Sequence, residues 1–197
     1  MAIIHRTTLQ PTKLELLTDW LPHRPWYRGT GTPELSRTGG FRLDDPAGEV
    51  GMEFMAVTDT SGPEPVTYHV PMTYRGATLP DAPADALIGT TEHGVLGERW
   101  IYDGMADPVL LTELGRLLRG EAPAHAQSVD GALDPTVGVR LAPGARAGRP
   151  EAVRLLEELG TEEALAPGVA GEVSARWRAG DEDRPLVRGV FVRFRTE

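Results

Sequence analysis

Three β-type runs, at 34–43, 49–58 and 66–74, follow one another with only short turn-forming clusters between them. Asp44-Asp45-Pro46-Ala47-Gly48 separates the first pair and Thr60-Ser61-Gly62-Pro63 the second. Strands joined this tightly pair antiparallel, because a parallel crossover needs a dozen or more residues. The centre of the chain is therefore expected to be an antiparallel meander. Whatever else folds must pack against it.

Helical signals flank the meander. Pro11-Thr12 is expected to open a short helix with Leu14, Leu17 and Leu21 on one face and Leu16 and Trp20 close by, ended by Pro22. Asp107-Pro108 reads as an N-cap followed by proline at the first helical position. Val109, Leu110, Leu114, Leu117 and Leu118 then form a buried stripe, and Gly120 ends that helix. A third helix is expected at 150–159, ended by Gly160. Further β-type runs lie at 3–9, 87–93, 99–102 and 136–141. A helical turn is expected at 81–86, and Trp26 and Tyr27 are expected to anchor the loop before the meander. The last elements form a hairpin, 171–178 and 186–195, turning at Asp181-Glu182-Asp183, with Val173, Ala175 and Trp177 on one face. The polar stretch 121–131 is the expected internal boundary.

Composition narrows the function classes. The formal net charge of −9 repels polyanions, so nucleic acid is not an expected partner. No apolar run is long enough to span a bilayer, and residues 1–10 lack a secretory-signal pattern, so a cytoplasmic, non-membrane protein is expected. The chain has no cysteine, which removes disulfides, thiol catalysis and thiolate zinc sites. Lys13 is the sole lysine beside 19 arginines, so any mechanism requiring a lysine amine must use it.

Candidate constellations are few. The segment 87–104 places Glu92 beside His93, with Arg99, Trp100, Tyr102 and Asp103 following. A carboxylate, an imidazole and an aromatic platform are the groups of acid–base chemistry or sugar stacking. Adjacent strand residues point to opposite faces, however, so Glu92 and His93 are expected to serve packing and backbone satisfaction first. The loop 143–149, with Gly144, Gly148 and Arg149, would precede the expected third helix and present an anion to its N-terminus. It lacks the Gly-Lys-Ser/Thr of a phosphate loop. Gly29-Thr30-Gly31-Thr32 is a weaker candidate, being followed by Pro33. His5, His23, His69, His93 and His125 are too scattered to announce a metal site. Arg176, Arg178, Arg188, Arg193 and Arg195 on the last hairpin read as a solvated face or, more sharply, as a partner-binding patch.

Several motifs in one order carry a family resemblance. Met1-Ala2-Ile3-Ile4-His5-Arg6 and Pro11-Thr12-Lys13-Leu14-Glu15-Leu16-Leu17 come first. Phe41-Arg42-Leu43-Asp44-Asp45-Pro46-Ala47-Gly48-Glu49-Val50-Gly51 and Val70-Pro71-Met72-Thr73-Tyr74-Arg75-Gly76 follow, and then the 89–104 segment. Together they resemble the N-terminal cap region of actinobacterial maltokinases over about residues 1–120. In that family the cap is attached to a kinase fold that phosphorylates maltose or related sugars with ATP and Mg²⁺, feeding α-glucan synthesis. Beyond about Gly120 the likeness fades, and the resemblance supplies no large C-terminal kinase lobe. No His-Arg-Asp loop or Asp-Phe-Gly-like metal site appears. Lys13 falls in the first helix, where a solvated side chain is expected.

The expectation is thus an α+β fold, a curved, mainly antiparallel sheet with two or three packed helices. Residues 1–120 form the cap-like region, and 121–197 a strand–helix–hairpin extension on the same unit. The expected role is a non-catalytic binding or regulatory module without a cofactor. Its partner would be an enzyme of α-glucan, trehalose or maltose-phosphate metabolism, or a sugar. The alternative is a small-molecule binder or enzyme using the Glu92/His93 segment or the 144–149 loop.

Overall fold

Local capping chemistry starts both helices where the sequence places them. The computed structural model describes residues 9–127, 131–160, 164–178, 180 and 183–197. Strand β1 (Leu9–Gln10) leads into helix α1 (Lys13–Trp20). Thr12 accepts from the Glu15 N–H, while the Glu15 carboxylate accepts from the Thr12 N–H, a reciprocal capping box. The chain leaves α1 through a 3-10 turn, Leu21–His23, that contains Pro22. The rest of the expected first strand, 3–8, lies outside the described residues, as do Asp181 and Glu182 of the last turn.

The meander forms as expected: β2 (Leu35–Asp44), β3 (Gly51–Asp59) and β4 (Val66–Arg75) pair antiparallel, with Phe41 opposite Phe54 and Phe54 opposite Pro71. The β2–β3 turn is held by the buried Asp45 carboxylate, which accepts from the N–H groups of Ala47, Glu49 and Val50. After a connection that includes the 3-10 turn Ala84–Ala86 come β5 (Leu87–His93) and β6 (Gly97–Asp103). It is β6 that pairs with β4, so β5 and then β1 extend the sheet outward.

Helix α2 (Pro108–Leu118) begins at Asp107, whose fully buried carboxylate accepts from Val109 N–H and from both arms of Arg75 at 2.7 Å. Leu110, Leu114, Leu117 and Leu118 face the core. The stretch after α2 is not a free boundary: Arg42 and His125 exchange both backbone hydrogen bonds, so the chain there pairs with β2.

The C-terminal strands are β7 (Gly138–Leu141), β8 (Ala147–Ala152), β9 (Val169–Arg178) and β10 (Leu186–Thr196). They close the sheet upon itself. β2 meets β9 at Gly39–Trp177, β9 pairs with β10, and β10 pairs with β8. Beyond β8 the chain continues extended between β10 and β4: Val153 N–H donates to Phe191 O, His69 N–H to Arg154 O and Leu156 N–H to Thr67 O, each at 2.9 Å. The ring β2–β3–β4–(153–156)–β10–β9 is a barrel, and closure removes the edges an open sheet would expose. Its interior holds Phe41, Phe54, His69 and Phe191. Phe41 stacks on Phe54 at 4.4 Å, and Phe191 reaches both Phe41 and His69 across the ring. Gly40 has φ +119 and sits so close to β3 that a Cβ would fall 1.9 Å from Phe54 O, which explains glycine there.

The expected helix at 150–159 is therefore a correction. Its residues favour helix locally, but 150–152 pair with β10 as strand and 153–156 run extended, bonded to β10 and β4, so tertiary pairing overrides propensity. Two α-helices are present among the described residues, and the class is α+β. The outer face of β3 and β4 is buried too, with Met55, Val57, Tyr68, Val70 and Met72 lying under Leu17, Trp20 and Leu21.

Candidate functional site

The β5–β6 hairpin carries the residues the sequence singles out. Glu92 stands opposite Glu98, and His93 opposite Gly97. His93 Nδ1 accepts from the N–H groups of Val95 (3.3 Å) and Leu96 (3.1 Å), and Arg99 donates to Leu96 O (2.7 Å), so these side chains close the hairpin tip. At the other end, Trp100 and Tyr102 pack with Leu79 and Ala86, and Tyr102 OH accepts from Leu79 N–H (3.1 Å). Asp103 accepts from Met105 N–H and from Arg154 (2.5 Å). The six residues are thus divided between tip and base, and no single point is shared by all of them.

Gly144 occupies a turn with φ +71, whereas Gly148 and the exposed Arg149 lie in β8. The helix N-terminus that was to complete an anion site there is not formed.

A denser polar cluster, not visible in the sequence, lies on the outer face of β2–β4. The Glu53 side chain is 4% exposed. It receives Lys13 Nζ (2.5 Å) and Tyr74 OH (2.7 Å) on one oxygen and Gln127 Nε2 (3.0 Å) on the other. Lys13 Nζ also sits 5.0 Å from the centre of the Tyr74 ring. The expectation of a solvated Lys13 is corrected, because a carboxylate buried among hydrophobic strands demands a counter-charge. Burial acts to raise the Glu53 carboxyl, but the Lys13 charge and the bonds from Lys13 and Tyr74 hold it below the ordinary value. Burial and the Glu53 charge push the Tyr74 phenol well above its own. Arg42 lies opposite Glu53, and its Nη1 and His125 Nδ1 are buried without hydrogen-bond partners among the described residues. His125 Nε2 is 3.7 Å from Asp44.

An open cleft of about 470 Å³ lies beside the end of α1. Thr18, Asp19, His23, Tyr27 and the loop 29–32 line it, giving hydroxyls, a carboxylate and an imidazole around one aromatic ring. Tyr27 OH is 3.1 Å from Asp59 and 3.2 Å from Gly31 O. Burial, with Asp59 adding to it, pushes this phenol up to about 12. The Gly-Thr repeat marked this loop in the sequence; its meeting with α1 did not show there.

The meander, the β5–β6 hairpin and the Asp107 cap form one contiguous stretch of chain, and that stretch has a known counterpart. Residues 20–107 match the maltokinase N-terminal cap domain. The match covers less than half of the 197 residues. No curated protein matches the chain. The cap-matching stretch supplies β2, β3 and β4 together with Glu53, Tyr74, His23 and Tyr27; Lys13, Gln127 and the strands that close the barrel lie outside it. Among the described residues, no group of three His, Asp or Glu side chains is placed to hold a metal ion, and no helix is long and apolar enough to cross a membrane.

Proposed function

We propose that this protein is a non-catalytic binding or regulatory module. In this reading a maltokinase-cap-like region, 1–120, is completed by the extension 121–197 and works in the cytoplasm with an enzyme of α-glucan, trehalose or maltose-phosphate metabolism. The observation that carries the reading is the commitment of Lys13. The single amine available to contact a nucleotide phosphate is held at 2.5 Å by a buried carboxylate. Phosphoryl transfer needs such a cation together with metal-binding carboxylates. The polar cluster around Glu53 instead fixes α1 to the sheet. The test is a coupled ADP-release assay on the purified chain with Mg-ATP and maltose, glucose or trehalose. The expected rate is the no-enzyme background; turnover abolished by Lys13→Met would refute the reading.

The cleft beside α1 favours a second reading, binding of a small hydroxyl-rich molecule such as a sugar. A ligand at about 100 times its Kd adds roughly 2.7 kcal/mol to the native state. For a domain of this size that is about 5–10 °C in Tm. A saturable shift with one sugar, lost in Asp19→Ala/His23→Ala, supports this reading, and no shift with maltose, trehalose or glucose counts against it.

A further inference from the structure

Basic residues gather on the outer face of the C-terminal strands of this acidic protein. β9 and β10 carry Arg176, Arg178, Arg188, Arg193 and Arg195 and one carboxylate, Glu172, and Arg195 pairs with Glu151 of β8 at 2.8 Å. Val173, Ala175 and Trp177 point into the core, so Glu172, Ser174, Arg176 and Arg178 share the opposite face by strand alternation. Arg140 on β7 and Arg193 on β10 both bond the buried Glu172, at 2.5 and 3.1 Å. One carboxylate therefore serves two guanidinium groups. Arg188 and Arg176 stand directly opposite each other in register. Arg188 donates to Ser174 Oγ (3.0 Å), a neutral acceptor, and Arg176 has no carboxylate partner among the described residues. Like charges directly opposite on a sheet are destabilising. Fold stability therefore does not explain this pair, whereas an anion between them would.

We infer that the outer face of β7, β9 and β10 is a docking surface for an extended acidic segment of a partner protein. Same-face residues on a strand recur at about 6.6 Å, the spacing at which an extended peptide presents alternate carboxylates. Arginine forks take carboxylates bidentately. A nucleic acid is the poorer fit. The aromatic side chains of these strands, Trp177, Phe191 and Phe194, are buried and offer no stacking platform. The net charge of −9 also repels a long polyanion, while a short acidic segment meets only the local patch within a Debye length of about 8–10 Å.

This inference rests on the binding-module reading, and its test is separate from the turnover assay. The probe is a fluorescein-labelled ten-residue peptide of alternating Glu and Thr, titrated by anisotropy at low and physiological salt. The expected result is saturable binding that weakens with salt and falls at least tenfold in Arg176→Glu/Arg188→Glu, with an unchanged circular dichroism melt. Arg28→Glu/Arg99→Glu, which makes the same charge change in the loop before β2 and on β6, on the other side of the sheet, is expected to retain binding. Absence of saturable binding, equal loss in both variants, or tighter binding of a ten-nucleotide single strand than of the peptide overturns the inference. Such a result would leave the turnover test untouched, just as turnover would remove the binding-module reading whatever the peptide does.

Discussion

Replacing Lys13 by Met tests the energetic centre of the outer cluster. The substitution keeps an unbranched side chain of similar length and removes the charge that faces Glu53 and the Tyr74 ring. Breaking a buried ion pair from one side costs about 3–5 kcal/mol. The Lys13 side chain is 29% exposed, and Tyr74 and Gln127 still donate to the carboxylate, which moves the expectation down. A loss of about 2–3 kcal/mol at pH 7 is expected, or about 5–10 °C in Tm. The pH dependence is the sharper signature. In the wild type the Glu53 carboxyl is held below its unfolded value, so its stabilisation is present above that value and lost as pH falls through the folded one. Without Lys13, burial raises the carboxyl, and the sign reverses: the penalty is largest with Glu53 ionised and shrinks as acid protonates it. Urea unfolding at pH 7 and pH 4 reads both effects, and Lys13→Met/Glu53→Gln is expected to be more stable than Lys13→Met alone at pH 7. A Lys13→Met protein within about 0.5 kcal/mol of wild type at pH 7, or one equally destabilised at both pH values, would refute the reasoning, since surface pairs behave that way.

Two further outcomes follow from the interior. Burial, with the nearby Arg154 charge adding to it, lowers the His69 imidazole to about 3; its Nδ1–H donates to Val153 O and its Nε2 is buried without a partner among the described residues. Its folded value lies below the unfolded one, so it contributes stability at neutral pH that is lost as pH falls from about 6.5 towards 3, at no more than about 1.4 kcal/mol per pH unit. His69→Phe is therefore expected to flatten the stability profile between pH 7.5 and 5 in urea unfolding, and superimposable profiles would contradict this. Arg75→Met strands the fully buried Asp107 at the start of α2 and is expected to cost about 3–5 kcal/mol by the same measurement; a loss below about 1 kcal/mol would mean that the Val109 N–H alone satisfies that carboxylate.

Much of the fold was legible because its determinants are local. β-type runs bounded by turn clusters marked β2, β3 and β4, the hairpin turn marked β9 and β10, and Thr12 and Asp107 marked the helix starts, since turns and caps are decided within three or four residues. The candidate cluster was not legible. Glu53 lies 40 residues from Lys13 and 74 from Gln127, and no short-range pattern distinguishes a carboxylate that will be buried from one in solvent. The prominent Glu92–His93 dipeptide, by contrast, lies on a hairpin whose tip takes up His93.

The sequence by itself determined where the main strands and turns fall, where the helices begin and that a cap-like stretch is present. Only the tertiary structure decided that the sheet closes into a barrel, that 150–156 run extended rather than helical, and that the sole lysine answers a buried carboxylate. The physical reason is one of range. Turns and caps are satisfied by neighbouring residues, whereas unpaired strand edges and buried charges are satisfied by whatever the completed fold brings to them.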